Sequence, residues 1–157
     1  MKTMKIASIL FITLISLNFA SCGSDDTPND DGIQDLTSEI SVDINGNNVV
    51  FDTVVIGEYE DNGTNYRSVS ATIGNDTNTL MTFAIPINQT GSDLFYDFYF
   101  VQNGKSYFEI NTFLNNVIIT NSDKKLTGNF SGDVQYNIDG QNFETLTFSN
   151  GSIDLNY

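Results

Sequence analysis

Few kinds of side chain in this chain can carry reaction chemistry. Its 157 residues include no histidine, one cysteine (Cys22), and 20 acidic against 6 basic residues. The lack of histidine removes Ser-His-Asp catalysis, histidine-ligated zinc and imidazole proton shuttling. Carboxylates remain, and a glycosidase needs two of them flanking one bond at roughly 5–9.5 Å. Glu58, Glu60, Glu109 and Glu144 are the candidates. In so acidic a chain some pair always falls in that range, so they carry no specific signal. No catalytic residue, metal or cofactor is expected, and carboxylate-based glycan hydrolysis is kept as the enzyme-class alternative. Asp30-Asp31-Gly32 does not alter this, because an EF-hand frame with Gly32 at its sixth position begins at Thr27 and ends at Ser38, without two essential carboxylates.

Tyrosine is the better lead for binding. Seven occur in a chain without tryptophan: Tyr59, Tyr66, Tyr96, Tyr99, Tyr107, Tyr136 and Tyr157. Tyr99 and Tyr107 lie on strands joined by Asn103-Gly104, where they are candidates for a flat platform for sugar or peptide. The alternative is that Phe95, Tyr99 and Val101 are the outer edge of a core covered by another segment. Asp52-Thr53-Val54 resembles the O-glycosylation acceptor of Bacteroidota.

These residues follow an N-terminal segment of a different kind. Met1–Lys5 is basic, and Ile6–Phe19 is an apolar run shorter than the roughly 20 residues of a membrane-spanning helix, as in a secretory leader. Ala20-Ser21 then precedes Cys22. The junction resembles a bacterial lipobox, with Phe19 where leucine is usual, and implies cleavage before Cys22 and lipid attachment there. Ser24, Asp25 and Asp26 resemble the export signal of Bacteroidota surface lipoproteins. Gly23–Thr37 is acidic, with Pro28 and Gly32 and only two large apolar residues, and reads as a tether. The expected organisation is a signal peptide over 1–21, lipidated cysteine and tether over 22–37, and a folded domain over 38–157. The expected location is the outer membrane, lipid-anchored and exposed at the cell surface. The net charge of −14 makes nucleic acid a poor partner, since a polyanion needs a basic stripe. A glycan, a peptide or an envelope protein remain as partners.

From Ser38 apolar and polar residues alternate with period two. Ile40, Val42 and Ile44 end at Asn45-Gly46, a hairpin signal. Val49–Ile56 has apolar residues on both faces, as for a strand buried between layers, and Glu58–Thr64 reads as an acidic loop. Val69, Ala71 and Ile73 point inward, as do Met81, Phe83, Ile85 and Ile87. In Leu94–Gln102, strict alternation puts Leu94, Tyr96, Phe98 and Phe100 on one face and Phe95, Asp97, Tyr99 and Val101 on the other. Further strands cover Ser106–Thr112, Val117–Thr120, Leu126–Tyr136, Glu144–Ser149 and Ser152–Tyr157, with turns at Asp139-Gly140 and Asn150-Gly151. About ten short strands without a helical period predict an all-β domain, a single antiparallel β-sandwich or partly open barrel. Gly128 and Gly132, flanking Phe130, predict bends or close approach of chains.

Lys125-Leu126-Thr127-Gly128-Asn129-Phe130-Ser131-Gly132, followed by Leu146-Thr147-Phe148-Ser149-Asn150-Gly151-Ser152-Ile153, resembles a family of small Bacteroidota lipoproteins of unknown function. Its members share a Ser/Thr-Gly-x-Phe-Ser strand and a closing Thr-x-Asn-Gly-x-Phe hairpin. The likeness extends weakly to Ser41–Phe51; Ile153 replaces the usual phenylalanine, and Phe51 is the nearest bulky residue to a tryptophan often found there. The resemblance implies location and architecture but no activity. The expected function is a non-catalytic binding or envelope-interaction module, with a structural accessory subunit of an outer-membrane complex as the alternative.

Overall fold

A computed structural model describes residues 38–110 and 112–157; the expectations for Cys22, Ser24, Asp25, Asp26 and the tether lie outside them. Eleven strands and no helix occur among the described residues. They are β1 (Glu39–Ile44), β2 (Asn47–Phe51), β3 (Thr53–Asp61), β4 (Thr64–Ile73), β5 (Asp76–Pro86), β6 (Gly91–Ser92), β7 (Tyr96–Gln102), β8 (Lys105–Tyr107), β9 (Leu114–Asn121), β10 (Lys125–Asn137) and β11 (Phe143–Asn156). One sheet runs β2-β1-β11-β10-β9-β6 and the other β3-β4-β5-β7-β8, all neighbours antiparallel. The result is the expected all-β sandwich, open rather than a closed barrel.

Local chemistry explains the hairpins. At Asn45-Gly46, Asn62-Gly63 and Asn103-Gly104 both residues have positive φ, about 50° at Asn and 76–80° at Gly, as a two-residue type I′ turn requires. Between the sheets, Ile40, Val42, Phe51, Val69, Met81, Phe83, Ile85, Phe100, Leu126, Phe148, Ile153 and Leu155 are almost completely buried. Phe100 meets Phe51 and Phe148 edge-on, at 6.4 and 5.3 Å between ring centres, an arrangement that contributes about 0.5–1.5 kcal/mol per pair beyond burial.

Four expectations are corrected by tertiary packing. Val49–Ile56 is two strands, not one: the chain leaves the first sheet after Phe51 and enters the second at Thr53. Its apolar residues on both faces reflect that change of sheet, and Val55 is 60% exposed. Glu58–Asp61 is strand rather than loop, and the turn is confined to Asn62-Gly63. Ile73 is not part of the core but 37% exposed, at the end of β4 beyond the register shift against β5. Asn150-Gly151 is not a turn: only Asn150 has positive φ, and β11 continues through it with a shifted register against β1 and β10. Gly151 serves packing, since a Cβ there would lie 2.5 Å from the Phe130 carbonyl oxygen and 2.7 Å from its ring.

Gly128 and Gly132 do mark close approach. A Cβ on Gly128 would lie 2.7 Å from the Val117 carbonyl oxygen, and one on Gly132, at φ +145°, would overlap the Phe113 carbonyl. Past Gly132, β10 diverges from β9, and Gln135 exchanges two backbone hydrogen bonds with Phe108, at 2.8 and 2.9 Å. This bridge joins the two sheets at one corner, and the β2–β3 passage joins them at another.

Candidate functional site

The outward face of the second sheet carries a row of three tyrosines. Register sets Tyr59 of β3 opposite Tyr66 of β4, and their rings stack at 5.4 Å and 19°. Tyr66 in turn stacks on Tyr96 of β7 at 4.8 Å and 24°. Tyr96 reaches this face through a bulge. Asp97 has φ +52°, and Tyr96 to Tyr99 spans only Ala84 to Thr82 on β5. The extra residue reverses the expected faces N-terminal to it. Phe95 turns into the core, stacked on Phe83 at 4.4 Å, while Tyr96 turns out, 38% exposed. No alternation pattern announces such a slip; an aspartate that tolerates positive φ inside an aromatic run was its one signal.

Ring spacing defines what the row offers. Tyr59 and Tyr66 stand on neighbouring strands, which lie about 4.8 Å apart, whereas β5 separates β4 from β7, so Tyr66 and Tyr96 lean towards each other across β5, from positions opposite Pro86 and Ala84, to stack. Tyr59, on the edge strand, and Tyr96 are each 38% exposed and Tyr66 is half-buried between them, so only the two terminal rings have a face that no other ring of the row covers. Tyr96 Oη donates to Asp61 Oδ2 at 3.3 Å. The Asp97 carboxylate, followed by that hydrogen bond, raises the Tyr96 phenol above its ordinary pKa; burial and then Asp97 raise Tyr59. Both therefore stay protonated as donors at neutral pH. Beside the row, register places Ser68, Ser70 and Thr82 outward, with Ser70 and Thr82 hydroxyls 3.5 Å apart. Tyr99 and Phe108 follow, 6.3 Å apart.

Tyr99 and Tyr107 do not form the expected platform. Tyr107 pairs with Phe100, faces the core and is 2% exposed, whereas Tyr99 faces outward. Tyr107 Oη instead donates to Glu144, which also pairs with Lys105, both at 2.5 Å. These contacts lower the Glu144 pKa, and burial, followed by the Glu144 hydrogen bond, pushes Tyr107 up to about 12. Of the other carboxylate candidates, Glu109 accepts from the Leu114 amide at 2.5 Å. Glu58 is 3.1 Å from the guanidinium of Arg67, a residue only 1% exposed. Glu60 shares the inward face of β3 with Glu58 and has no hydrogen-bond partner among the described residues. Both line an open groove of about 650 Å³ with Asn65, Asn88 and Gln89.

Arg67 was missed as a structural residue because it interrupts an apolar alternation as a charge. Its guanidinium donates to Asn121 Oδ1 and to the Ser122 carbonyl at 3.0 Å, and lies 5.0 Å from the Tyr157 ring centre. It thus ties the second sheet to the β9–β10 turn of the first. Searches with the chain against protein-family models, curated proteins and solved structures find no match.

Proposed function

We propose that this protein is a non-catalytic binding module, held at the outer-membrane surface by lipid on Cys22, that takes a polyhydroxylated ligand of the glycan class. The observation that supports it most is the Tyr59-Tyr66-Tyr96 row, which joins outward phenols, two flanking aspartates and an exposed terminal ring beside a floor of small hydroxyl side chains. Phenols and carboxylates suit the hydroxyls of a sugar, and an aromatic face suits its C–H surface. The lipobox-like junction and the lipoprotein-like C-terminal segments support the location. Titrating the full chain in detergent against envelope polysaccharides, with thermal shift as readout, tests it: Tyr66→Ala should remove the shift while the protein stays folded. A shift unchanged by Tyr66→Ala refutes this face.

The accessory-subunit reading keeps one specific observation in its favour. β3 is a nine-residue strand paired with β4 on one side and, among the described residues, with no strand on the other. Long open edges are what folded domains ordinarily blunt.

A further inference from the structure

We infer that the free edge of β3 is a strand-addition site for an extended segment of another protein, running antiparallel to β3, with alternate basic side chains followed by alternate apolar ones. This deepens the accessory-subunit reading and does not rest on glycan binding.

Among the described residues four strands end the two sheets, and three are short or tied. β2 has five residues, β6 two, and β8 three with its continuation bridged to β10. Among the described residues β3 alone is long; Thr53–Asp61 contains neither proline nor lysine, and the inward-pointing charges it does carry, Glu58 and Glu60, guard it against acidic or apolar strands but not against a basic one. Its pairing identifies the groups on offer. The Asn62-Gly63 turn closes on Asp61 and Thr64, a pair that exchanges both backbone hydrogen bonds in such a hairpin. Counting back in twos, Tyr59, Gly57, Val55 and Thr53 bond to β4. Val54, Ile56, Glu58 and Glu60 therefore direct their N–H and C=O groups away from the sheet.

The same four residues turn their side chains to the inward side, where two grooves follow the edge. Val54, Ile56 and Tyr157 line one of about 410 Å³; Glu58, Glu60 and Asn65 line the next, of about 650 Å³. Glu58 borders both. An added strand supplies main-chain bonds for affinity and drops every second side chain into these grooves for specificity. Running antiparallel, it meets Glu60 and Glu58 first and Ile56 and Val54 afterwards, so basic groups lead and apolar ones follow. On the outward side its residue opposite Tyr59 extends the stacked tyrosine row. Charge argues against a second copy as occupant: it would bring two such acidic edges together in a chain of net charge −14.

The test uses the full chain in detergent and a fluorescent Lys-Tyr-Lys-Thr-Val-Thr-Val peptide, read by anisotropy. Saturable binding is expected. It should vanish when the backbone nitrogens of the lysines and valines are methylated and persist when those of tyrosine and the threonines are. Replacing the peptide lysines by glutamates should also abolish it, and Glu60→Lys should weaken it at least about threefold. Ile56→Pro removes an N–H that faces solvent, which an edge strand tolerates, and should block binding without unfolding. Tyr66→Ala should leave peptide binding in place while removing the glycan response, which separates the two readings. Three results overturn the inference: no saturable binding; equal binding of both methylated peptides; or sedimentation showing a dimer of the chain that Ile56→Pro dissociates, which makes a second copy the occupant.

Discussion

Replacing Arg67 by Met should cost about 3 kcal/mol of folding stability, and the geometry assigns most of that to one amide. Asn121 is 7% exposed. Its Nδ2 donates to the Pro86 and Gln89 carbonyls at 2.8 and 3.0 Å, so the side chain cannot rotate to take Oδ1 elsewhere. Without the guanidinium, Oδ1 is a buried acceptor lacking a donor, worth about 1–3 kcal/mol. The Ser122 carbonyl loses less, since it also accepts from Tyr157 Oη at 2.8 Å. Loss of the cation–π contact with Tyr157 adds about 1 kcal/mol. Glu58, with its side chain 58% exposed, returns to water, so Glu58→Gln should cost at most about 1 kcal/mol. Urea unfolding of the full chain, followed by circular dichroism, measures both variants. The reasoning fails if Arg67→Met stays within about 1 kcal/mol of the parent, or if Glu58→Gln costs as much as Arg67→Met.

Gly132→Ala should destabilise by at least about 2 kcal/mol, because the new Cβ overlaps the Phe113 carbonyl at a φ of +145°; a change below about 0.5 kcal/mol in urea unfolding would contradict it. Stability should also fall at alkaline pH. The Tyr107 phenol sits at about 12 when folded against 10.0 ordinarily, so its contribution is complete below pH 10 and is lost as pH rises towards 12. Tyr107→Phe should flatten that decline, and parallel pH profiles of the urea midpoint would count against this assignment. Cys22→Ala should release the protein from membranes without changing its circular dichroism; continued fractionation with the outer membrane would refute the lipid anchor.

The candidate site was only partly legible in the residues. Tyrosine does supply the outward aromatic row, and alternation largely locates the second sheet's strands, yet the expected pair, Tyr99 and Tyr107, straddles the sheet. The row that does form needs Tyr59 and Tyr66 in register across a hairpin whose Glu58–Asp61 arm reads as loop from its acidic content. It also needs a bulge at Asp97 to turn Tyr96 outward. A slip of one residue moves every side chain before it to the other face. Alternation read along a single strand cannot disclose it.

By itself, the sequence determined whatever depends on neighbours along the chain. Period-two alternation settled the all-β class and the inward set Met81, Phe83 and Ile85, and two Asn-Gly pairs, Asn45-Gly46 and Asn103-Gly104, settled two hairpins, because both act through adjacent φ, ψ and side-chain direction. Only the tertiary structure decided what the same signals mean when distant chain competes for them. Asn150-Gly151 became a bulge because Phe130 occupies the space over Gly151. Val49–Ile56 divided between two sheets, and Arg67 became buried because Asn121 and Ser122, more than fifty positions away, offer it oxygens. Turns and faces are local free energies of order 1 kcal/mol. Burial and hydrogen-bond satisfaction across sheets are larger and nonlocal, and where the two conflict, packing prevails.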